Sequence, residues 1–543
     1  MSDLVRRAEE WLAQDPDAET RAELQEILDS GDTAELQDRF GAKLEFGTAG
    51  LRGELGAGPN RMNRVTVMRA AAGLARRLGP GKHVVIGYDA RHKSDVFARD
   101  SAAVLNGAGL RVSLMGHHWP TPVLAFAVRH LGADAGVMVT ASHNPPRDNG
   151  YKVYWGDGAQ IVPPLDVEIS EAIDTVGRVD RLPLGDEWET LSDTVIVRPY
   201  LAAVSALPLG NARDLRVVYT PMHGVGGEVL LRAFTTAGFE TPSVAEAQFE
   251  PDPDFPTVAF PNPEEPGAMD LALQLAEKVG ADLVIANDPD ADRCAVGVPT
   301  PDGGFRMLTG DEVGGLLGEY VIDHTSGPAR LVAASIVSSS LLGKIAMAHG
   351  VRHAETLTGF KWIVKAGDGL VYGYEEALGY SVGSDQGLPV RDKDGIGAAL
   401  TVAGMAAQAK REGRTLLDLL DDQAGKYGLH ATAQLSVRVD DLSLITDAME
   451  RLRSNPPREL GGRAVRSVDD LSTGVDGLPP TDGLRYRLDG DARVVVRPSG
   501  TEPKLKCYLE VVIPVSGDIS TARTQAAQDL DSLKSDLSTA LGL

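Results

Sequence analysis

Cysteine is almost absent from this 543-residue chain: Cys294 and Cys507 are the only two. They belong to no CxxC or Cys/His cluster, which excludes a disulfide framework or a thiolate zinc site and predicts a reducing compartment. No apolar run approaches the roughly 20 residues needed to span a bilayer. The opening turns carry Arg6, Arg7, Glu9, Glu10, Asp15 and Asp17, so the apolar core of a secretory signal is missing there. The expected location is the cytoplasm. Positive charge is also short, with 53 Lys and Arg against 77 Asp and Glu, a formal net charge of −24. A phosphate-tracking surface needs a cationic field, so this balance argues against nucleic acid and anionic membranes as partners. An anionic substrate must instead meet a local cluster of Lys and Arg.

The chain is too long for one hydrophobic core and predicts several domains of roughly 100–200 residues each. A unit repeats along it. Val84 to Asp89 reads as a strand and turn, followed by an alanine-rich helix running to Gly107 and Gly109 and a second strand at Val112 to Met115. Val217 to Thr220 begins a similar unit whose helix ends at Gly238, and Leu331 to Ala334 begins a third whose helix ends at Gly350. Strand, small-residue turn, glycine-closed helix and return make half of an open α/β sheet. After each unit comes another apolar run, ending at Ser142 to Asn144, Asp288 to Asp292, and Glu375-Glu376. The expected fold is α/β: three related mixed α/β sheet domains and a smaller C-terminal α+β domain, arranged around a central cleft. The expected boundaries are 1–205 including an N-terminal helical extension, 206–310, 311–426 and 427–543. In the last, strands are expected over Ala433–Val439, Arg493–Val496 and Lys506–Val512. The Pro-rich stretch Pro251 to Pro266 reads as an ordered connection punctuated by Phe255, Val258 and Phe260.

The chemistry lies at the strand ends. Asp288, Asp290 and Asp292 recur at every second position around Pro289, a pattern that suits neither a helix nor a central strand. Crowded carboxylates repel unless a cation joins them, and oxygen-only donors favour Mg²⁺ or Mn²⁺ over zinc; the plain alternative is a solvated acidic turn. Ser142 has no GxSxG context, and His143 is only its sequence neighbour, so a hydrolase triad is not indicated. It is either a turn former or, beside a divalent ion, a phosphoserine with three acceptor oxygens. Lys152 can return to the same turn as an acid or base. Gly47 to Gly53, ending around Arg52, offers backbone donors and a guanidinium to a phosphate, or is a plain tight loop. The Arg497 loop, with Ser499 and Thr501, follows the same logic. Gly224-Val225-Gly226-Gly227 fails as a dinucleotide fingerprint because Val229 takes the third glycine position. His117 and His118 read as turn or packing residues.

Taken together, four motifs in order resemble the α-D-phosphohexomutase superfamily, which includes phosphoglucomutases and phosphomannomutases. They are Gly-Thr-Ala-Gly-Leu-Arg, Thr-Ala-Ser-His-Asn-Pro, Asp-Pro-Asp-Ala-Asp-Arg and Arg-Pro-Ser-Gly-Thr-Glu-Pro, and the resemblance runs from Phe46 to Val512. It implies that Ser142 carries the phosphoryl group and that Asp288, Asp290 and Asp292 hold Mg²⁺ beside it. It also implies that Arg52 and Lys152 assist proton transfer and charge stabilisation, with His143 and Arg293 in support. Arg497, Ser499, Gly500 and Thr501 would grip the phosphate that is not transferred; Thr358, Gly359, Lys361, Glu375 and Lys393 would complete the substrate site. A sugar 1,6-bisphosphate would serve as intermediate and activator. One motif departs from the pattern: Glu375-Glu376-Ala377 keeps the glutamate of Gly-Glu-x-Ser-Gly but puts alanine at the serine position. This variant, with Thr358 to Trp362, is similar to the branch containing phosphopentomutases and bisphosphate-forming relatives.

The expected activity is a Mg²⁺-dependent mutase interconverting hexose 1-phosphate and hexose 6-phosphate, with a pentose 1-phosphate as the alternative substrate. Two competitors come from other classes. A non-catalytic sugar-phosphate-binding protein would keep binding after Ser142→Ala with no turnover to lose, and a phosphatase using Asp288 would release free phosphate.

Overall fold

The computed structural model describes residues 3–45, 50–439, 441, 443–499 and 504–542. They fall into two compact units, Met1–Leu308 with Gly379–Gly383 and Leu388–Gln408, and Thr309–Leu378 with Ser384–Gly387 and Ala409–Leu543.

In the first unit, helices Asp3–Leu12, Ala18–Ser30 and Thr33–Phe40 form the N-terminal extension. Asp17 and Asp32 accept from the first free backbone N–H groups of the second and third helices, and Gly31 ends the second at φ 68°. Trp11, Leu24, Leu36 and Phe40 pack into the same core as Val65 and Leu74 of helix Arg64–Leu78, so the extension is part of the body.

The repeat read from the sequence is the architecture. His83–Tyr88 lies between two parallel neighbours, Arg111–Met115 and Ala135–Val139. Val217–Thr220 lies likewise between Ser243–Val244 and Leu283–Ala286. In the second unit Leu331–Ser335 lies between Arg352–Thr356 and Leu370–Glu375. The strands Ala135–Val139, Leu283–Ala286 and Leu331–Ser335 are buried along their whole length, which is why they read as unbroken apolar runs. Antiparallel strands extend the first two sheets. Asp148–Trp155 pairs with Ala135–Val139 and carries Leu51–Glu54 on its far side, and Ala295–Pro299 pairs with Leu283–Ala286.

The second unit also holds a six-stranded antiparallel sheet, backed by helices Ser443–Ser454 and Ile519–Leu541. Leu530, Leu533, Leu537 and Leu541 of the last helix recur at helical spacing and are buried against it. Its first strand begins at Leu429, four residues before the expected Ala433, because His430 is satisfied inside the sheet by Glu510 at 3.0 Å. Of the residues punctuating Pro251 to Pro266, Phe255 is buried whereas Phe260 is 48% exposed. Among the described residues no helix is long and apolar enough to cross a membrane.

Candidate active site

In each repeat the strand order reverses at the central strand. The loop leaving that strand and the loop leaving its chemistry-bearing neighbour therefore emerge side by side at the carboxyl end of the sheet. The first pair is the Asp89–Arg91 turn and the Ser142 turn. Ser142 is held at φ 52°, a left-handed conformation that costs a non-glycine residue and persists only where its surroundings impose it. The surroundings do so through Arg91, whose buried guanidinium donates to four backbone carbonyls: Ser142 at 2.7 Å, Asn144 at 2.6 Å, Pro145 at 2.8 Å and Asp148 at 3.1 Å. Thr140 Oγ1 accepts from the Ser142 N–H at 2.9 Å, and Arg91 stacks over Phe255, its ring centroid 5.0 Å away.

The second pair is the Met222–Gly227 loop and the Asp288–Asp292 turn. Ala291, at φ 55°, bends the chain so that Asp288, Asp290 and Asp292 point inward, fully buried, with one carboxylate oxygen from each within 4.8 Å of the others. Gly224 lets the two loops touch: an added Cβ would lie 2.3 Å from Pro289 Cα, and the Val225 N–H donates to the Pro289 carbonyl at 2.8 Å. These glycines clamp the acidic turn, which agrees with the rejected dinucleotide reading.

The two turns meet. Ser142 Oγ donates to Asp288 Oδ2 at 2.8 Å and lies 3.3 Å from His143 Nδ1. Lys152 Nζ donates to Asp290 Oδ2 at 2.7 Å and Asp292 Oδ2 at 3.0 Å, Thr121 Oγ1 to Asp290 Oδ2 at 2.6 Å, and the Arg293 N–H to Asp288 Oδ1 at 3.0 Å. Lys393 Nζ stands 3.5 Å from Asp292 Oδ2, while Asp392 is fixed by Tyr154 and Gln160. Arg52, on the edge strand paired with Gly150, donates to Asn144 Oδ1 at 3.3 Å. Burial pushes the Asp288 carboxyl well up, with Asp292 and Asp290 adding to it. Burial also works against the Asp290 charge, but Lys152 and Thr121 outweigh it and hold that carboxyl low. The Lys152 ammonium is likewise opposed by burial and kept charged by Asp290 and Asp292. His143 is held neutral by burial and by Arg293 and Arg52. Asp290 Oδ1 and Asp292 Oδ1 remain buried without a hydrogen bond. Hard, buried, oxygen-only donors with free lone pairs fit a divalent cation of the Mg²⁺ class.

In the second unit the third pair follows the same plan. Glu375 closes strand Leu370–Glu375, and Glu376 Oε2 accepts from Ser335 Oγ and Ser338 Oγ of the neighbouring loop, each at 3.2 Å. Thr358 and Gly359 lie between Arg352–Thr356 and the short helix Phe360–Ile363, with Gly359 at φ 103°, and Lys361 is buried within that helix. Arg497, near the end of strand Arg493–Pro498, bonds to Tyr508, which also feels Glu376 and Glu375. Burial and these carboxylates push the Tyr508 hydroxyl up, against the opposing pull of Arg497. The Ser499 N–H donates to the Lys504 carbonyl at 2.8 Å. Gly500 and Thr501 lie outside the described residues, as do Gly47, Thr48 and Ala49 of the Arg52 loop.

The first unit thus brings Arg52, Ser142, His143, Lys152, Asp288, Asp290, Asp292, Arg293 and Lys393 together, and the second places Glu375 and Arg497 around Tyr508. Arg91, Thr121, Ser335, Ser338 and Tyr508 escaped the sequence reading. The repeat marks the end of each unit's first strand and the turn after it as the place for a buttress, but nothing in residue type singles out Arg91, Ser335 or Ser338 there.

Comparison with known proteins places this arrangement. The models of phosphoglucomutase/phosphomannomutase alpha/beta/alpha domains I, II and III match residues 43–179, 198–303 and 309–427, and that of the C-terminal domain matches 435–515. A "Probable phosphomannomutase" of Haemophilus influenzae is 47% identical over 83% of this chain and 93% of its own length. A "Probable phosphoribomutase" of Schizosaccharomyces pombe is 37% identical over 93% of each. The crystal structure of a phosphoglucomutase/phosphomannomutase family protein from Burkholderia thailandensis shares the fold, with a TM-score of 0.69 and 20% identity over 91% of this chain and 97% of that one.

Proposed function

Because the chain belongs to the phosphoglucomutase/phosphomannomutase family, we propose that it interconverts a hexose 1-phosphate and the hexose 6-phosphate through a phosphoserine at Ser142. The observation that carries this reading is the contact of Ser142 Oγ with Asp288 at 2.8 Å, in a strained turn beside three buried carboxylates. Asp288, Asp290 and Asp292, with the Ser142 oxygen, would hold Mg²⁺, which supplies divalent charge next to phosphoryl oxygens.

The chain's own residues account for the rest. In the first half-reaction the Oγ–P bond of phosphoserine breaks as a free sugar hydroxyl bonds to phosphorus, and the hydroxyl proton leaves to a group of the site. Lys152 and Arg52 place positive charge beside the transferring group, as loose phosphoryl transfer requires. His143 Nδ1, 3.3 Å from Ser142 Oγ, is within reach to exchange a proton with the serine. The sugar bisphosphate then returns its other phosphate to Ser142, so trace sugar 1,6-bisphosphate activates any dephosphorylated protein. Arg497, Glu375 and Lys393 would orient the sugar and its idle phosphate.

Ala377, which offers no hydroxyl to the sugar, and the relative named a phosphoribomutase favour a pentose 1-phosphate as the second reading. Phosphorus NMR with Mg²⁺, a trace of glucose 1,6-bisphosphate and glucose, mannose or ribose 1-phosphate in parallel tests both. Faster conversion of a hexose ester to its 6-phosphate supports the first, and faster conversion of the ribose ester supports the second. Release of inorganic phosphate, or no conversion of any, contradicts a mutase.

A further inference from the structure

Beneath the N-terminal helices lies a cavity of about 110 Å³ whose walls include Trp11, Leu44, Leu51, Arg69, Ile173 and Val176. None of the residues lining it belongs to the cluster around Ser142. Two donors on its wall lack a partner: the indole Nε1 of Trp11, a residue only 5% exposed, and Nε of Arg69 are both buried without a hydrogen bond. The Arg69 guanidinium stacks over the Trp11 ring, 5.2 Å from its centroid, so the two N–H groups belong to one packed pair. The nearby charges are committed or exposed. Lys43 and Asp174 pair with each other at the rim, and Glu45 is exposed.

Buried donors without an acceptor are rare, and at Arg69 withdrawal from water opposes the charge more strongly than the nearby Asp174 carboxylate supports it. The cavity is several times larger than one ordered water requires, and its walls join an aliphatic side of Leu51, Ile173 and Val176 to a polar side that includes Thr66 and Ser170, so water alone would satisfy the donors while wetting the aliphatic side. An occupant that answers both demands carries a delocalised negative charge at one end and a few carbons at the other.

We propose that this cavity is a binding site for a small organic carboxylate. Its oxygens accept from Arg69 Nε and Trp11 Nε1, and its short aliphatic part lies against Ile173 and Val176. A guanidinium is matched to carboxylate geometry, whereas inorganic phosphate has no apolar end for these walls. The site is placed to be felt at Arg52. Leu51 precedes it directly, and Leu44 packs so closely under Gly53 that an added Cβ there would lie 2.9 Å from Leu44 Cδ1.

The test is calorimetric titration of the full-length protein with butyrate, n-butylammonium and inorganic phosphate. Butyrate is expected to bind saturably and butylammonium not at all. Arg69→Met should weaken butyrate at least tenfold and Trp11→Phe, which keeps the ring and removes the N–H, severalfold. Arg69→Lys, which keeps the charge, controls for folding and should retain the melting temperature while still binding less tightly than wild type. Absence of saturable butyrate binding, unchanged affinity in both Arg69 variants, or tighter binding of phosphate than butyrate would overturn the proposal.

Discussion

At the scale of single residues, the site depends on groups that force others into costly states. Ser142 sits at positive φ because Arg91 ties down the four carbonyls around it. Arg91→Met keeps much of the side-chain volume and removes every one of those bonds. Because it leaves buried carbonyls unanswered and the buried Asp89 carboxylate without its cation, unfolding by urea should show a loss of about 3–5 kcal/mol. Turnover should fall at least tenfold in protein that is still folded, as expected when a nucleophile loses its orientation. Arg91→Lys, a point charge without the fork, should recover only part of both. Wild-type turnover in a folded Arg91→Met variant would mean that the serine turn holds its shape unaided.

At the scale of elements, pairs of loops at the reversal of strand order do the positioning, and the acidic turn shows how tight the fit is. Gly224→Ala would set a Cβ against backbone atoms of Pro289, at 2.3 Å from Cα and 2.5 Å from the carbonyl oxygen, so one loop has to move. The expected cost is about 1–3 kcal/mol of stability, with at least a tenfold higher Mg²⁺ requirement for turnover, read from a metal titration of initial rates. An unchanged Mg²⁺ requirement would show that the clamp does not set the spacing of the carboxylates.

The same pairs explain what was legible in the sequence. Ser142, Asp288 to Asp292 and Arg497 stand in motifs local enough to read, and the three repeated strand–helix–strand units fold as read. Arg91 could not be read as a buttress because its partners lie 51 to 57 residues away and are backbone carbonyls, which leave no mark on residue type. Thr121 and Tyr508 were hidden for a related reason. Their bonds to Asp290 and Arg497 exist only once separate elements are packed.

At the scale of the whole molecule, acid should act first where buried charge holds elements together. Burial works against the Glu510 charge, but Arg493, His430 and Ser339 outweigh it and pull the carboxyl from 4.5 down to about 2. A depressed carboxyl adds stability that is complete above its ordinary pKa and is lost as pH falls toward the folded value. That window runs from about 4.5 to about 2 and is worth roughly 3 kcal/mol. Urea unfolding followed across this range should steepen its loss of stability in wild type and flatten in Glu510→Gln; parallel curves would remove Glu510 as the cause. The central claim concerns the reaction itself, that one serine carries the phosphoryl group through the cycle. Its most direct test is to incubate the protein with Mg²⁺ and glucose 1,6-bisphosphate labelled in its phosphates, quench, and map the label by peptide sequencing. The account predicts stable label on Ser142 alone, discharged by added glucose 1-phosphate with formation of labelled bisphosphate. No label at Ser142, or acid-stable label elsewhere that glucose 1-phosphate discharges equally well, would contradict it.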